Sequence, residues 1–342
     1  MDSAIPSHLR CPRSRQRRVP DDYVPPYPSF VARHARRVER VVMAYFGAQS
    51  QDRDRAALEG AVQDLARRFA GERGPAHWDR CRYTDEAGFE TVVCAAYWDD
   101  PARHDTWFAA EGRAWTRDAR PGLGTFSEVL RPHVERYETL FSAPDRAEGI
   151  AVLADAMSDV VMEHAYWGGA RDRIPASQTD GMAPLGEPEV LRDGALVTVR
   201  GHEHLCLIRS GQDWSDTEAD ERRMYLEDVE PVLRAGMDFL RDDGRAIGCF
   251  ANRYAVVETA EGRPTEKSYG MSWWRSLAAL ERWAESHPTH VAIFGAAMKY
   301  LSTLGPAAKL KLYHEVTVAR ADEQFFEYLN CHDRSGMLRA GQ

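Results

Sequence analysis

The chain has 342 residues, of which 44% are hydrophobic and 28% are charged, close to the averages of soluble globular proteins. This composition excludes disordered, collagen-like and fibrous classes, and the length allows one large domain or two of ordinary size. Acidic residues outnumber basic ones, 53 against 44, so we expect no nucleic acid among the partners.

The sequence does not predict a membrane association. No apolar run approaches the roughly 18 residues that a transmembrane helix requires. The positive charge near the N-terminus is not followed by the apolar core of a secretory signal. We therefore expect a cytoplasmic protein whose six cysteines, none in CxxC spacing, are free thiols.

Residues 1–30 are rich in proline and arginine. Because proline disrupts regular helix, this segment is predicted to form an extended arm over the surface of the chain or over a partner. The arginines also allow an arm that binds nucleic acid, but the acidic remainder of the chain favours a wrapping arm.

Strands are predicted in both halves of the chain from β-branched and aromatic residues. They cover residues 38–49, 89–98, 125–130, 137–142, 196–209, 246–258, 267–274 and 309–318.

Two helices are predicted in the first half. Apolar residues at helical spacing indicate a helix over 52–70. Asp100, followed by Pro101 at the first helical position, is predicted to cap a second helix that runs to about Trp115.

Three helices are predicted in the second half. Ser-Asp-Thr-Glu over 215–218 indicates a capping box that opens a long helix to about Arg241. Ser276 is predicted to open a helix through Trp283, and a further helix is predicted to begin near Thr289.

The two halves echo each other. Tyr97-Trp98 ends a predicted strand and Trp107 follows nine residues after Trp98, while Trp273-Trp274 ends another strand and Trp283 again follows at nine. We interpret this repetition as a duplicated α+β module, each with an antiparallel sheet backed by helices. The first module covers residues 31–150 and the second 151–342.

The alternating strand over 309–318 places His314 on the same face as Val316 and Val318, because side chains in a strand alternate with a period of two. A histidine in the middle of an apolar face is either a core residue or a site residue. From this segment alone the core interpretation is favoured.

The His-Pro-Thr-His segment over 287–290 is a second candidate. Pro288 disfavours helix at His287, so His290 is predicted to lie in the first turn of an almost wholly apolar helix. A histidine at the edge of an apolar helix is typical of an axial haem ligand, and the spacing of the two histidines also allows a two-histidine metal site. A capping or core histidine is the simpler interpretation.

Arg171 and Arg173 lie in a Gly- and Pro-containing loop that could bring guanidinium groups to a polar substrate. Ser210 follows a strand but lacks the glycine spacing of a nucleophile elbow, so a hydrolase triad is poorly supported. Dinucleotide, phosphate-loop, zinc-protease and EF-hand motifs are absent from the sequence.

Several longer segments together resemble one family. They are MDSAIPSHLRCPRS, RRVPDDYVPPYP, HAYWGGARDRIPASQTD, IRSGQDW, RWAESHPTH, LYHEV and CHDRSGMLR. The chain is similar through them to the haem-containing aldoxime dehydratases, the phenylacetaldoxime dehydratase type included, from the first residue to about Arg339. The resemblance implies an α+β fold, a dimeric α+β barrel of two ferredoxin-like modules with antiparallel sheets flanked by helices. It also implies one haem b per chain, ferrous when active, and a homodimer.

The same resemblance implies roles for individual residues. His290 matches the axial iron ligand, and His314 matches the distal histidine that protonates the hydroxyl of an aldoxime as it becomes a nitrile. Ser210 would hold that hydroxyl and Arg173 would orient the distal network. Two further matches are Glu138, which supports the distal histidine, and His164, which is linked to haem retention.

Two other functions remain compatible with these residues. A haem peroxidase-like oxidoreductase on the same fold would use the same axial histidine. A non-enzymatic haem-binding protein would need His290 but neither His314 nor Ser210.

Overall fold

The computed structural model describes residues 1–165 and 169–342; residues 166–168, part of one segment of the family resemblance, lie outside the described residues. The strands are β1 Ala32–Arg33, β2 Val42–Ser50, β3 His77–Thr84, β4 Glu90–Trp98, β5 Gly124–Leu130, β6 Tyr137–Phe141, β7 Ala156–Met157, β8 Glu189–Asp193, β9 Leu196–Arg200, β10 Leu205–Asp213, β11 Cys249–Glu258, β12 Pro264–Trp274, β13 Lys311–Ala319 and β14 Gln324–Leu329. The helices are α1 Arg55–Phe69, α2 Pro101–Trp107, α3 Arg113–Arg117, α4 Gly169–Arg173, α5 Ala219–Met224, α6 Glu230–Asp242, α7 Leu277–Ser286 and α8 Pro288–Leu304.

Twelve strands form one antiparallel sheet in the order β6-β13-β10-β12-β11-β3-β4-β2-β5-β14-β9-β8. Two runs of the chain share the element order strand-helix-strand-strand-helix-strand, except that two helices, α7 and α8, precede the last strand of the second run. The first runs from β2 to β5 and the second from β10 to β13, with the helices α2–α3 and α5–α6 each continuous through a π-helical turn. When the strands of each run are numbered one to four along the chain, their order in the sheet is 4-1-3-2 in both runs: β5-β2-β4-β3 in the first and β13-β10-β12-β11 in the second.

The sheet folds over on itself, because side chains from its two halves meet in one core. Tyr45 of β2 contacts Trp273 of β12, and Arg209 of β10 donates to Asp79 of β3 at 2.8 Å. Outside this core, a second cluster packs α1 and the α2–α3 helix against β2 and β4. A third packs α6 and α7 against β10, β12 and β13.

The two tryptophan pairs have the same geometry. Trp98 and Trp107 have ring centroids 5.3 Å apart at 41°, and Trp274 and Trp283 have centroids 5.7 Å apart at 39°. In each case a buried strand end packs against the first helix that follows it. The sequence repetition therefore corresponds to a repeated packing arrangement.

Capping residues in the sequence predicted the first residues of several helices correctly. Asp100 accepts hydrogen bonds from the backbone N–H groups of Ala102 and Arg103, and Ser276 accepts one from Ala279, as predicted. The prediction of a capping box over 215–218 is wrong, because the helix begins at Ala219 and the side chain of Glu218 makes no capping hydrogen bond. Ser215 instead donates to Asp213, so its hydroxyl closes a turn after β10.

Strand prediction was less complete. The single strand predicted over 196–209 is two strands, β9 and β10, separated at His204, whose φ of +64° breaks the extended backbone. The strands β1, β3, β7, β8 and β14 were not predicted. Short length and exposure explain the miss at β8.

The N-terminal arm contacts the rest of its own chain. Asp2 pairs with Val161 in a parallel bridge, and Phe30 pairs with Phe141 at the edge of the sheet. Among residues 1–165 and 169–342, no helix is both long enough and apolar enough to cross a membrane.

Candidate functional site

Three neighbouring strands present polar side chains on one face of the sheet. His314 of β13 lies directly opposite Ser210 of β10, and Glu138 of β6 lies opposite Val316 of β13. Residues directly opposite each other share a face, as do residues two apart on one strand. Glu138, His314 and Ser210 therefore point to the side of the sheet on which Val316 packs with α6 and α7.

A buried ion pair forms the base of this group. Arg173, at the end of α4, donates from Nε to Glu138 Oε2 at 2.5 Å and from Nη2 to Oε1 at 3.2 Å. Both side chains are 2% exposed. Burial by itself raises the pKa of Glu138, but the charges of Arg173 and His314 and their hydrogen bonds outweigh it, so the pKa lies below its ordinary value.

His314 completes the cluster through one ring nitrogen. Its Nε2 lies 2.9 Å from Glu138 Oε1 and 2.9 Å from Arg173 Nη2. A protonated Nε2 donates to the carboxylate, whereas an unprotonated Nε2 accepts from the guanidinium, so the two contacts belong to different protonation states. The side chain is 23% exposed, which leaves the imidazole accessible to a small molecule.

His164 lies beside this cluster. Its Nδ1 is 3.0 Å from the carbonyl oxygen of Tyr27, which belongs to the N-terminal arm. Burial lowers the pKa of His164 to about 4; the Tyr27 carbonyl opposes this, and the positive charges of Arg173 and His314 add to it. His164 is thus a neutral imidazole held by the arm.

His290 stands on a different element, in the first turn of α8, as predicted. His287 caps this helix with extended backbone before Pro288. Burial lowers the pKa of His290 to about 4, partly opposed by a hydrogen bond to the backbone of Ala284, so the imidazole is neutral near pH 7. A neutral imidazole that donates one ring N–H to a carbonyl is the arrangement typical of metal-ligating histidines.

The two-histidine metal site at 287–290 is not supported. His287 Nδ1 lies 2.9 Å from Thr289 Oγ1, and its ring stacks on Phe239 at 4.4 Å, so this histidine serves as a cap. Within the described parts of the chain, no group of three or more histidine, cysteine, aspartate or glutamate side chains could hold a metal ion. Iron at His290 would need most of its ligands from a cofactor.

Helix α8 has the surface that a flat apolar cofactor requires. Of its seventeen residues only Tyr300 is buried, although residues 291–298 read VAIFGAAM, and Val291 is 46% exposed. By contrast, α7 buries five of its ten residues. An apolar face beside a neutral histidine fits a haem, whose macrocycle would cover that face.

Other candidates have structural partners. Arg171 donates to both carboxylate oxygens of Glu281 and to the carbonyl of Gly181, so it braces α7 and does not reach the cluster. Sequence reasoning missed Glu163, whose carbonyl accepts from Arg173 Nη1 at 2.7 Å. It also missed Gly169, where a Cβ would come within 2.9 Å of the same atom. Gly169 lies within the segment HAYWGGARDRIPASQTD and Glu163 directly precedes it, but neither was assigned a role from the sequence.

Comparison with known proteins gives consistent results. A family model described as haem-containing dehydratase matches residues 44–337. The chain is 44% identical over 351 residues to an aliphatic aldoxime dehydratase from a Pseudomonas species, covering 100% of this chain and 99% of the relative. It is 31% identical over 331 residues to a phenylacetaldoxime dehydratase from a Bacillus species, covering 94% and 93%.

Two solved structures have the same fold. A crystal structure of an aldoxime dehydratase superposes with a TM-score of 0.94 at 44% identity, covering 99% of this chain and 98% of that one. A crystal structure of an aldoxime dehydratase in complex with butyraldoxime gives 0.95 at 43% identity, covering 99% and 96%. The large antiparallel sheet flanked by helices is therefore the architecture of those structures.

Proposed function

Because the chain belongs to the haem-containing dehydratase family, we propose that it is a haem-dependent lyase that converts aldoximes, R–CH=N–OH, into nitriles and water. The observation that carries this proposal is the Glu138–Arg173–His314 cluster, which holds an accessible imidazole between a buried carboxylate and a buried guanidinium. The full-length identity to aldoxime dehydratases supports the same reaction.

The cofactor is proposed to be haem b in the ferrous state, with His290 as the axial iron ligand. The neutral imidazole of His290 and the partly exposed apolar residues of α8 support this assignment. A ferrous haem held by His290 would supply an electron-rich iron that could bind the oxime and weaken its N–O bond.

His314 is proposed to protonate the departing hydroxyl, so that water leaves in place of hydroxide. Because Nε2 faces Glu138 and Arg173, the proton for the substrate is expected on Nδ1. The aldoxime carbon must then lose its own proton, and the discharged imidazole can accept it, so the reaction is neutral overall. Protonation of a leaving group by a positioned acid is typically worth about 10²–10⁴-fold in rate.

The remaining residues are proposed to position this chemistry. Ser210, directly across the strand pair from His314, would hold the substrate hydroxyl by a hydrogen bond. Arg173 and Glu138 would orient the imidazole through the contacts described above. His164, held by the arm, would help to retain the haem.

The two strand-helix-strand-strand-helix-strand runs are proposed to be ferredoxin-like modules of one barrel, over residues 31–150 and 151–342, in a homodimer. Their shared strand order and matched tryptophan pairs support this division. Light scattering of the purified holoprotein should give twice the chain mass, and a monomer would contradict the dimer.

The test is an absorption spectrum of purified protein reduced with dithionite under nitrogen, before and after addition of butyraldoxime, the ligand of one solved relative. We expect a ferrous haem spectrum that shifts on addition, followed by formation of butyronitrile. Ferric protein should be far less active. Turnover with peroxide but not with aldoxime, or haem without any turnover, would favour the oxidoreductase or the haem carrier.

A further inference from the structure

The N-terminal arm contacts the segment that carries Arg173 at several points. At the first, Asp2 exchanges backbone hydrogen bonds with Val160 and Met162. At the second, Gln178 donates to the carbonyl of Leu9 at 2.8 Å and accepts from the backbone N–H of Cys11 at 3.0 Å. The arm thus contacts described residues before and after Arg173 in the chain.

The third contact lies next to Arg173 in the chain. Asp172 is 1% exposed, and its two carboxylate oxygens accept the backbone N–H groups of Arg18, at 3.1 Å, and Val19, at 2.8 Å. Both oxygens are therefore occupied by the arm. Because this buried carboxylate binds backbone N–H groups of the arm, it fixes the position of the arm relative to the backbone at Asp172.

The arm also binds Glu163, the residue whose carbonyl accepts a hydrogen bond from Arg173. Glu163, 3% exposed, accepts the backbone N–H of Ala4 at 2.8 Å and the hydroxyl of Ser3 at 3.0 Å. The carbonyl of the same residue accepts from Arg173 Nη1 at 2.7 Å. Two residues whose carboxylates bind the arm are therefore linked to Arg173. Asp172 precedes it in the chain, and Glu163 accepts a hydrogen bond from its guanidinium through the backbone carbonyl.

We propose that the N-terminal arm is a strap that fixes Arg173 in contact with Glu138 and His314, and that Asp172 is a positioning residue for the dehydration. This inference rests on the proposed function. Asp172 touches neither the imidazole nor a substrate, so its whole effect on turnover passes through Arg173. An isosteric Asn at 172 would set an amide NH₂ against a backbone N–H and release one anchor of the strap.

The test is a double-mutant cycle on the haem-loaded enzyme with butyraldoxime, using Asp172→Asn, Arg173→Ala and the double variant. We expect Asp172→Asn to lower kcat about 10- to 100-fold, as loss of alignment does, with haem content unchanged. In the Arg173→Ala background it should have no further effect on kcat. If Arg173→Ala does not fold, Arg173→Lys, which keeps the charge beside Glu138, replaces it.

Two controls separate positioning from stability. Asp85 likewise accepts two backbone N–H groups, from Ala87 and Phe89, but in the turn between β3 and β4, so Asp85→Asn should leave kcat unchanged. Trypsin should cut the arginine-rich arm faster in Asp172→Asn than in the parent. Ser3→Ala, a milder change at the other anchor, should lower kcat in the same direction.

The outcomes are distinct. Multiplicative losses in kcat for Asp172→Asn and Arg173→Ala, or an unchanged kcat in Asp172→Asn despite faster cleavage of the arm, would overturn the strap. A wild-type holoprotein that forms no nitrile would overturn the proposed function itself.

Discussion

His314 shares one ring nitrogen between a carboxylate and a guanidinium, and this sharing determines how its proton can move. The Glu138–Arg173 pair is neutral as a unit, so a proton on His314 is the net charge of the cluster. Because the pair is buried and its geometry is held by several hydrogen bonds, the imidazole can gain and lose that proton without rearrangement of its partners.

Replacement of His314 by alanine should remove nearly all turnover while leaving haem bound. We expect kcat to fall by about 10²–10⁴-fold, the usual contribution of a positioned general acid. His290→Ala should instead lose haem, so the haem absorption band separates the two variants. His133, partly exposed and outside the cluster, provides a control whose alanine variant should match wild type in both assays. Retained activity in His314→Ala would assign the acid to another residue.

Glu138 should make stability depend on pH in acid. Its pKa is lowered in the folded chain relative to the ordinary value of 4.5 because the attractions of Arg173 and His314 exceed the effect of burial. A carboxyl of this kind stabilises the fold above pH 4.5, and that contribution is lost as pH falls through the lowered pKa. Urea unfolding between pH 3 and pH 6 should therefore show a weaker acid-side loss of stability in Glu138→Gln than in wild type. Parallel curves would contradict this assignment.

At the scale of elements, the predictable features are those decided by neighbouring residues. Caps at Asp100 and Ser276 and the first turn of α8 depend on local hydrogen bonding and on proline, and the sequence predicted them. The break at His204 was not predicted, because it depends on β9 and β10 pairing with different halves of the sheet.

The candidate site divides in the same way. His314 and His290 could be singled out from local patterns, as a polar residue on an apolar strand face and at an apolar helix start. Arg173 was a candidate only as one of two loop arginines, and Glu138 had no local signal. Their contact could not be predicted, because they are 35 residues apart and Arg173 is 141 residues from His314. Only the family resemblance grouped them. The anchors of the arm had no signal at all, since backbone N–H groups leave no trace in the side-chain pattern.

The two tryptophan pairs offer a matched comparison between helices. Trp107 donates to the carbonyl of Arg68 within the first helical cluster, whereas Trp283 donates to Thr289 and packs its ring 4.4 Å from that of His290. Trp107→Phe and Trp283→Phe should each cost about 1–3 kcal/mol of stability. Only Trp283→Phe should also weaken haem binding, as measured by haem transfer to apomyoglobin. Equal haem retention would show that Trp283 does not orient His290.

At the scale of the whole molecule, the two helical layers differ in how complete they are. In the first layer, α1 buries Leu58, Ala61, Val62, Leu65 and Phe69. In the second, α8 has the more apolar sequence and buries only Tyr300. The first layer is therefore buried by the protein itself, whereas the second keeps apolar residues partly exposed, the surface on which the proposed haem would lie.

Removal of haem should consequently destabilise one layer and spare the other. A ligand present at about 100 times its Kd adds about 2.7 kcal/mol to the stability of the form that binds it, and the added protection should concentrate where the ligand lies. Hydrogen exchange of the apoprotein is expected to be fast in α8 and slow in α1, and addition of haem should slow α8 alone. His290→Ala mixed with haem is the control, in which α8 should stay fast. Equal protection of α1 and α8 in the apoprotein would mean that α8 needs no cofactor, and that its exposed apolar face serves something else.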